Sequence, residues 1–353
     1  MKRETETDEL FMRRCIELAR SAEGMTYPNP LVGSVIVYDG QIIGEGYHRK
    51  AGEPHAEVNA IASVRQRNLL NYSTLYVCLE PCAHFGRTPP CAQLIIDTKI
   101  PRVVVGCIDS FSKVSGKGIE MLKNAGVEVV TGVLEKECRW LNRRFFTFHE
   151  KHRPFVILKW AESADGFVDA VRDATARPVW LTDEDCRRLV HKQRTEEQAI
   201  MIGVNTANLD NPSLTARMWT GNQPLRVVID PHLRADSNLT LFADGGKTLV
   251  VNALKDAEEG NVIYRRIDFS GADAPEKILN LLYEMNIQSV IIEGGPMTLG
   301  AFIRASLWDE AYVYRSQLQL GAGVAAPKLP AEPIRSESIN SNILLFFSNK
   351  FEN

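Results

Sequence analysis

Long hydrophobic runs are missing from this 353-residue chain. No window of about 18 apolar residues occurs, so a membrane-spanning helix is not expected. Residues 1–10 are polar and acidic and lack the apolar centre of a secretory signal. A basic surplus is missing too: 41 Lys and Arg stand against 44 Asp and Glu, for a formal net charge of −3. Such a balance offers no basic field for a long nucleic acid. No G-x-G-x-x-G string occurs, which argues against a Rossmann dinucleotide site. Internal repeats and low-complexity segments are also absent. Cysteine is present in an odd number, at positions 15, 78, 82, 91, 107, 138 and 186. Without a signal peptide, that count argues for reduced thiols and a cytoplasmic location. A functional cysteine is then expected to be a metal ligand or a catalyst, not half of a structural disulfide.

What is present is an ordinary globular balance, with 44% hydrophobic and 24% charged residues in a chain long enough for two domains. Residues 8–22 carry Leu10, Phe11, Cys15, Leu18 and Ala22 near helical spacing. Two apolar runs, 32–38 and 41–47, flank Asp39-Gly40, a turn pair that tolerates positive φ and predicts a hairpin. Residues 56–70 read as a helix, 75–79 as a buried strand and 90–98 as a helix. Strands at 102–107 and 127–131 bracket a helix at 118–124. A hairpin followed by βα alternation predicts an α/β sandwich. The basic and aromatic stretch 143–154 reads as the domain boundary, giving domains of 1–148 and 149–353. The pattern then restarts, with strands at 155–160, 199–204, 225–229, 248–251, 289–293 and 311–319. Helices are expected at 183–194, 276–285 and 297–305, which makes a second α/β domain.

The most specific constellation lies in the first half. Pro54-His55-Ala56-Glu57 opens a helix, Glu80-Pro81-Cys82 follows a strand, and Pro89-Pro90-Cys91 opens the next helix. One imidazole and two thiolates, His55, Cys82 and Cys91, leave the fourth tetrahedral position of zinc for water, the arrangement of a catalytic site. Zinc lowers the pKa of that water toward neutrality. A carboxylate that does not bind the metal then suits proton transfer to a leaving amine, and Glu57 is placed for it. Residues i and i+2 of a regular helix point to nearly opposite sides. His55 and Glu57 therefore share a site only at a helix start, which Pro54 supports. Cys82 and Cys91 also stand near expected helix starts, where N–H groups and the dipole favour thiolate. The other five cysteines are expected to be neutral core residues.

Longer strings extend the pattern. The string P-C-A-H-F-G-R-T-P-P-C at 81–91 closely resembles the deaminase half of the bifunctional riboflavin-biosynthesis deaminase/reductase family, as do Pro28-Asn29-Pro30-Leu31-Val32-Gly33 and Gly44-Glu45-Gly46-Tyr47-His48. The second half is similar to the family's reductase domain in Ser163-Ala164-Asp165-Gly166, Trp180-Leu181-Thr182, the string from Gly203 to Arg217, and Glu293-Gly294-Gly295-Pro296. The resemblance runs from about residue 8 to 330. It implies a cytidine-deaminase-like α/β/α sandwich followed by a dihydrofolate-reductase-like α/β domain. It further implies Zn2+ and NADPH as cofactors, a small phosphorylated pyrimidine as substrate, and a homodimer or homotetramer. Asn29, His48 and Asp109 become candidate contacts to the deaminase substrate. Ala161, Trp180, Thr206, Asp210, Gly295, Pro296, Met297, Thr298, Leu299, Gly300 and Ala301 become candidate cofactor contacts. Arg194, Leu214, Arg217 and Glu293 become candidate contacts to the reductase substrate.

Physically, Gly294-Gly295-Pro296 lets backbone approach a phosphate at a helix N-terminus, and an arginine fork fits phosphate oxygens. Trp180 either stacks on the cofactor or fills core. Two departures stand out: Phe111 replaces a substrate-facing asparagine of the family, and Pro178 replaces a serine. Two other readings stay open at this level. One is a deaminase acting on free cytosine, a nucleoside or tRNA, against which the eight residues between Cys82 and Cys91 and the second domain speak. The other is a structural zinc protein, in which His84 would close the metal site as a fourth ligand.

Overall fold

The computed structural model describes residues 2–83, 89–110, 116–172 and 179–349, the first four of these by backbone alone. The chain divides into two compact units, Met1–Lys151 and His152–Asn353.

In the first unit the elements run α1 (Lys2–Arg20), β1 (Gly33–Tyr38), β2 (Gln41–Tyr47), α2 (Ala56–Ser63), β3 (Thr74–Leu79), α3 (Cys91–Asp97), β4 (Arg102–Cys107), α4 (Lys117–Asn124), β5 (Glu128–Thr131), α5 (Glu135–Leu141) and α6 (Arg143–Lys151). The sheet order is β2-β1-β3-β4-β5. The hairpin pairs antiparallel, with Tyr38 opposite Gln41, and its turn residues Asp39 and Gly40 take φ of 47° and 71°. β3, β4 and β5 are parallel. Period-two alternation builds a core on each face. Val35, Val37, Tyr76 and Val104 pack with α1, α5 and α6. Ile36, Leu75, Val77, Val103 and Val105 pack with α2, α3 and α4. This is the expected α/β/α layering.

One expectation needs correction here. The helix read at 56–70 ends at Ser63, and a 3-10 turn takes Arg67–Tyr72. Ser63 Oγ donates to Ala60 O at 2.7 Å, a local side-chain bond that competes with helix propagation, and Val64 is extended. The two units divide after Lys151, inside the stretch 143–154 read as the boundary, and helix α6 within that stretch buries Phe145, Phe146 and Phe148. Phe145 and Phe146 belong to the first core.

In the second unit the elements run β6 (Phe155–Glu162), β7 (Phe167–Asp169), α7 (Glu184–Glu196), β8 (Ala199–Gly203), α8 (Val204–Asp210), β9 (Leu225–Ile229), α9 (Thr240–Ala243), β10 (Thr248–Asn252), β11 (Ala257–Glu259), β12 (Val262–Arg266), α10 (Ala274–Glu284), β13 (Ser289–Ile292), α11 (Pro296–Arg304), β14 (Glu310–Arg315), β15 (Val324–Ala325), β16 (Arg335–Ile339) and β17 (Asn342–Ser348). A ten-stranded sheet has the order β11-β12-β10-β9-β8-β13-β6-β14-β17-β16. From β12 to β14 neighbours are parallel. β11 caps one edge antiparallel, and the β16–β17 hairpin caps the other. Along β6, Val156, Leu158 and Trp160 face one core while Phe155 and Ile157 face the other. The last strand expected at 311–319 stops at Arg315. The tail beyond residue 330, unassigned from sequence, supplies β17, whose Ala311↔Phe347 and Val313↔Leu345 pairs extend the sheet.

One close approach positions the first site. A Cβ on Gly46 would stand 2.3 Å from Ala60 N and 2.7 Å from Ala56 O, and one on Gly44 would stand 2.6 Å from Ala60 O. These glycines let α2 lie directly on β2 and so set the height of its first turn. We expect Gly46→Ala to lower stability by about 1–3 kcal/mol through overpacking, read as a shift in the urea midpoint, and to weaken zinc retention in parallel. An unshifted midpoint with intact zinc would show that α2 yields freely.

Candidate active sites

In the first unit three chain segments converge. His55 is the N-cap of α2, with extended φ −69° and ψ 166°. Pro90 caps α3 with φ −60° and ψ 148°, so Cys91 is the first helical residue. Cys82 follows the exit of β3. His55 Nδ1 lies 3.6 Å from Cys82 Sγ and 3.3 Å from Cys91 Sγ. All three candidate ligand atoms lie within 4.8 Å of one another. Tetrahedral zinc with ordinary Zn–N and Zn–S bonds separates such atoms by about 3.6 Å, so the donor set fits zinc in chemistry and spacing. The Cys91 backbone N–H donates to Cys82 Sγ at 3.3 Å. The hydrogen bond from the Cys91 thiol, then that from His55, pull the Cys82 thiol down against the effect of burial, and Cys91 is raised as the proton-holding partner.

Glu57, the second residue of α2, is 3% exposed and stands beside Cys91, outside the ligand group. Burial, and next the charge of Cys82, push its carboxyl up to about 7. It is therefore suited to exchanging a proton near neutrality.

Asn29 and His48 meet each other. His48 Nε2 is 3.0 Å from Asn29 Nδ2, and its Nδ1 is 3.2 Å from Pro54 O. A carbonyl only accepts, so Nδ1 carries the proton and Nε2 accepts from Asn29. Burial foremost lowers the His48 pKa, with the charge of His55 adding to it, and the ring stays neutral. Its edge lies against His55, with centroids 5.4 Å apart. Asp109 is buried, and its N–H donates to Glu80 Oε2 at 3.3 Å. Glu80 also accepts from Gly116 N at 2.9 Å and Gly118 N at 2.9 Å, tying the Asp109 loop to the segment that carries Cys82. His84 and Phe111 lie outside the described residues. Among the described residues the metal-binding group has three members.

In the second unit several candidate residues gather at the carboxyl ends of the parallel strands, where open α/β sheets bind ligands. Glu293 follows β13. Arg194, on α7, donates to it from Nε at 2.9 Å and from the second terminal nitrogen at 2.8 Å, and from its other terminal nitrogen to Thr215 O at 2.9 Å. Lys159 Nζ, from β6, stands 3.6 Å from the same carboxylate. Burial alone would raise the Glu293 carboxyl, but the charges of Arg194 and Lys159 outweigh it and hold it at about 2. Burial lowers the Lys159 pKa more than Glu293 raises it.

The starts of α8 and α11 pack together. Gly295 N–H donates to Thr206 Oγ1 at 3.0 Å. A Cβ on Gly203 would stand 2.7 Å from Thr298 Oγ1, and one on Gly294 would stand 2.9 Å from Thr298 Cβ. Pro296 opens α11, while Met297 is 78% exposed beside it. Gly300 and Ala301 follow within α11. The Leu299 side chain lies in the core, which leaves only its backbone to face a ligand. Asp210 ends α8 and is bridged to Asp169 by Arg172.

The remaining candidates are more dispersed. Leu214 is buried in the core at a positive φ of 52°. Arg217 is exposed and donates to Ser213 Oγ at 2.8 Å. Ala161 packs beside the Tyr314–Leu344 cluster. Trp180 is 63% exposed, with the Arg187 guanidinium 4.8 Å above its ring. That exposure overturns core filling as its role. Pro178 lies outside the described residues.

Comparison with known proteins agrees with both halves. The model of the cytidine and deoxycytidylate deaminase zinc-binding region matches residues 5–107, and that of the RibD C-terminal domain matches residues 154–342. The riboflavin biosynthesis protein RibD of Aquifex aeolicus is 37% identical over 97% of this chain and 98% of its own length. The chain belongs to the RibD family. RibD of Escherichia coli is 34% identical over 89% of each chain. A solved Thermotoga maritima deaminase/reductase superposes with a TM-score of 0.88 at 36% identity, covering 98% of this chain and 99% of its own. Acinetobacter baumannii RibD gives 0.87 at 32% identity over 98% and 99%. The chain is thus a bifunctional deaminase and reductase of riboflavin biosynthesis, with Zn2+ and NADPH as its cofactors.

Sequence reasoning missed Lys159. Its signal was present: one lysine inside the apolar run Phe155-Val156-Ile157-Leu158-Lys159-Trp160, where a buried charge needs a partner. That partner, Glu293, is 134 residues away in sequence (293 − 159). We expect Glu293→Gln to leave Lys159 and Arg194 uncompensated and to lower stability by about 3–5 kcal/mol. A denaturation midpoint equal to that of the parent would show that the two cations find other partners.

Proposed function

We propose that the first unit hydrolyses the exocyclic amine of 2,5-diamino-6-(5-phosphoribosylamino)pyrimidin-4-one, and that the second reduces the ribosyl group of the product to ribityl. These are the second and third steps from GTP to riboflavin. The observation that carries the reading is the His55–Cys82–Cys91 group with the buried Glu57 beside it. The Thermotoga maritima relative is described as a diaminohydroxyphosphoribosylaminopyrimidine deaminase and 5-amino-6-(5-phosphoribosylamino)uracil reductase, which supports this substrate pair.

His55 Nδ1, Cys82 Sγ and Cys91 Sγ would hold the metal. Zinc, when bound, supplies activation of water at neutral pH. Glu57 takes the proton from the attacking water and delivers it to the amine, which leaves as ammonia while the ring carbon becomes a carbonyl. His48, fixed as the Nδ1–H tautomer, holds the turn that carries His55 and orients Asn29 toward the pyrimidine. Asp109, on the loop clamped by Glu80, contacts the same ring.

In the second unit Thr206, Asp210, Ala161, Trp180 and the start of α11 from Gly295 to Ala301 receive NADPH. Its phosphate lies where backbone N–H groups and the helix dipole favour an anion. NADPH supplies the hydride. Arg194, Arg217, Leu214 and Glu293 hold the phosphorylated substrate. Lys159, whose burial loosens its proton, protonates the ribosyl ring oxygen as the ring opens. No described helix is long and apolar enough to cross a membrane. We assign the enzyme to the cytoplasm as a homodimer or homotetramer, with no nucleic-acid partner.

Glu57→Gln should keep zinc and lose roughly a hundred- to ten-thousandfold in ammonia release; near-parental deamination by a zinc-loaded variant would sink the assignment of Glu57. Cys82→Ser and Cys91→Ala should lose zinc and deamination but still consume NADPH with the deaminated intermediate. Failure of both activities in a folded variant would refute two separate sites. Arg217→Ala should raise the reductase KM for the phosphorylated intermediate by roughly ten- to a hundredfold, the equivalent of one charge-assisted contact. Unchanged reductase kinetics in that variant would remove Arg217 from the phosphate site.

A further inference from the structure

Glu80 stands two residues before Cys82 and is 4% exposed. Both of its carboxylate oxygens accept hydrogen bonds from backbone. Oε2 accepts from Asp109 N at 3.3 Å and from Gly116 N at 2.9 Å. Oε1 accepts from Gly118 N at 2.9 Å and from Ile119 N at 3.4 Å. The last two are N–H groups of the first turn of α4, which a helix leaves without an internal partner. The N-cap residue, Gly116, has φ 76° and no side chain to satisfy them, so Glu80 caps the helix from another segment of the chain. The approach is close: a Cβ on Gly118 would stand 2.0 Å from Pro81 O. Glu80 N also donates to Cys107 O at 3.0 Å, which joins the exits of β3 and β4.

A carboxylate has about four acceptor sites on its two oxygens, and four backbone donors fill them here. Glu80 is thus left neither for a metal nor for a substrate, and it stands outside the His55–Cys82–Cys91 group. Cys82 has supports of its own on α3. Its Sγ accepts from Cys91 N at 3.3 Å, and its O accepts from Ala92 N at 3.1 Å. Loss of the Glu80 bonds would therefore leave the candidate metal ligands tied to α3. What it would release is the other side of the clamp, the exit of β4 with Asp109 and the start of α4.

We propose that Glu80 is a positioning residue of the deaminase: it fixes the Asp109 backbone relative to the Cys82 segment and so sets the affinity for the pyrimidine. This rests on the reading that Asp109 contacts that ring. Glu80 touches neither substrate nor zinc and acts through Asp109. A clamp that holds Asp109 in the free enzyme leaves less ordering for the binding step. A carboxamide in place of the carboxylate accepts on one oxygen only and turns its NH2 group against two backbone N–H groups. Glu80→Gln is then a near-isosteric way to open half of the clamp.

The test uses the full-length, zinc-loaded enzyme and follows ammonia release. Glu80→Gln should raise the deaminase KM by roughly tenfold and change kcat by less than about threefold. Zinc content and reductase kinetics should stay at their parental values. A fall in kcat at parental KM, loss of zinc, or lowered stability with KM unmoved, as from a merely structural helix cap, would overturn the proposal. A double variant gives the second readout. In an Asp109→Ala background Glu80→Gln should raise KM no further, because it acts through Asp109; additive losses would place its action elsewhere and refute the proposal. Asp109→Ala alone separates the two levels. If it raises KM while Glu80→Gln does not, Glu80 alone is excluded. If it leaves KM untouched, the reading of Asp109 falls and this proposal with it. Should Glu80→Gln fail to fold, amide hydrogen exchange in the unaltered enzyme tests the clamp. The Asp109 and Gly116 amides should be protected before substrate is added, and unprotected exchange at either one would overturn the proposal.

Discussion

Parallel strand pairing forces a crossover after each strand, so the segments that leave the carboxyl ends of neighbouring strands arrive side by side. Both units depend on this constraint. In the first, the exit of β3 brings Cys82 to the start of α3, where Cys91 donates its backbone N–H to the Cys82 sulfur. The start of α2 completes the group with His55 and Glu57, because the glycines of β2 let that helix lie directly on the strand. In the second, the exits of β8 and β13 stand next to each other. Their turns interlock through Gly203, Thr206, Gly294, Gly295 and Thr298. Functional groups here are backbone ends and helix starts as much as side chains.

Charge burial follows the same geometry in two different ways. Around His55 the titratable groups share protons. Cys82 is driven toward thiolate, the Cys91 pKa is raised beside it, and Glu57 is raised by burial next to that negative charge. A divalent cation resolves this excess of anionic groups at once, since thiolates and a nearby carboxylate all gain from it. Around Glu293 the arrangement is already balanced. One carboxylate lies between Arg194 and Lys159 and stays ionised. Buried pairs of this kind contribute little net stability, yet are strongly destabilised when one member is removed.

Much of this was legible before any coordinates. The Asp39-Gly40 hairpin, the βα alternation and the helix starts at His55 and Cys91 follow from local rules: positive φ at a turn, apolar period and proline at a boundary. Those rules failed where non-local packing decides. The helix at residue 56 stops at Ser63 because a side-chain bond competes with it. The tail beyond 330 carries little pattern of its own, and it becomes strand by pairing with β14.

The amino-acid order by itself determined the His55, Cys82 and Cys91 set that could hold a metal, the carboxylate beside it, the two α/β units and the glycine turn at Gly294-Gly295-Pro296. Each of these is a short contiguous signal whose chemistry does not depend on distant residues. Only the tertiary structure decided which charges are paired. Lys159, Arg194 and Glu293 are far apart in sequence and meet because β6 and β13 are parallel neighbours while α7 crosses beside them. It also decided the tautomer of His48, which is set by Pro54 O and Asn29, and it left His191 buried with an unpartnered nitrogen. Spacing along a chain reports local geometry, whereas the protonation and pairing of a buried group are fixed by whatever the fold places against it.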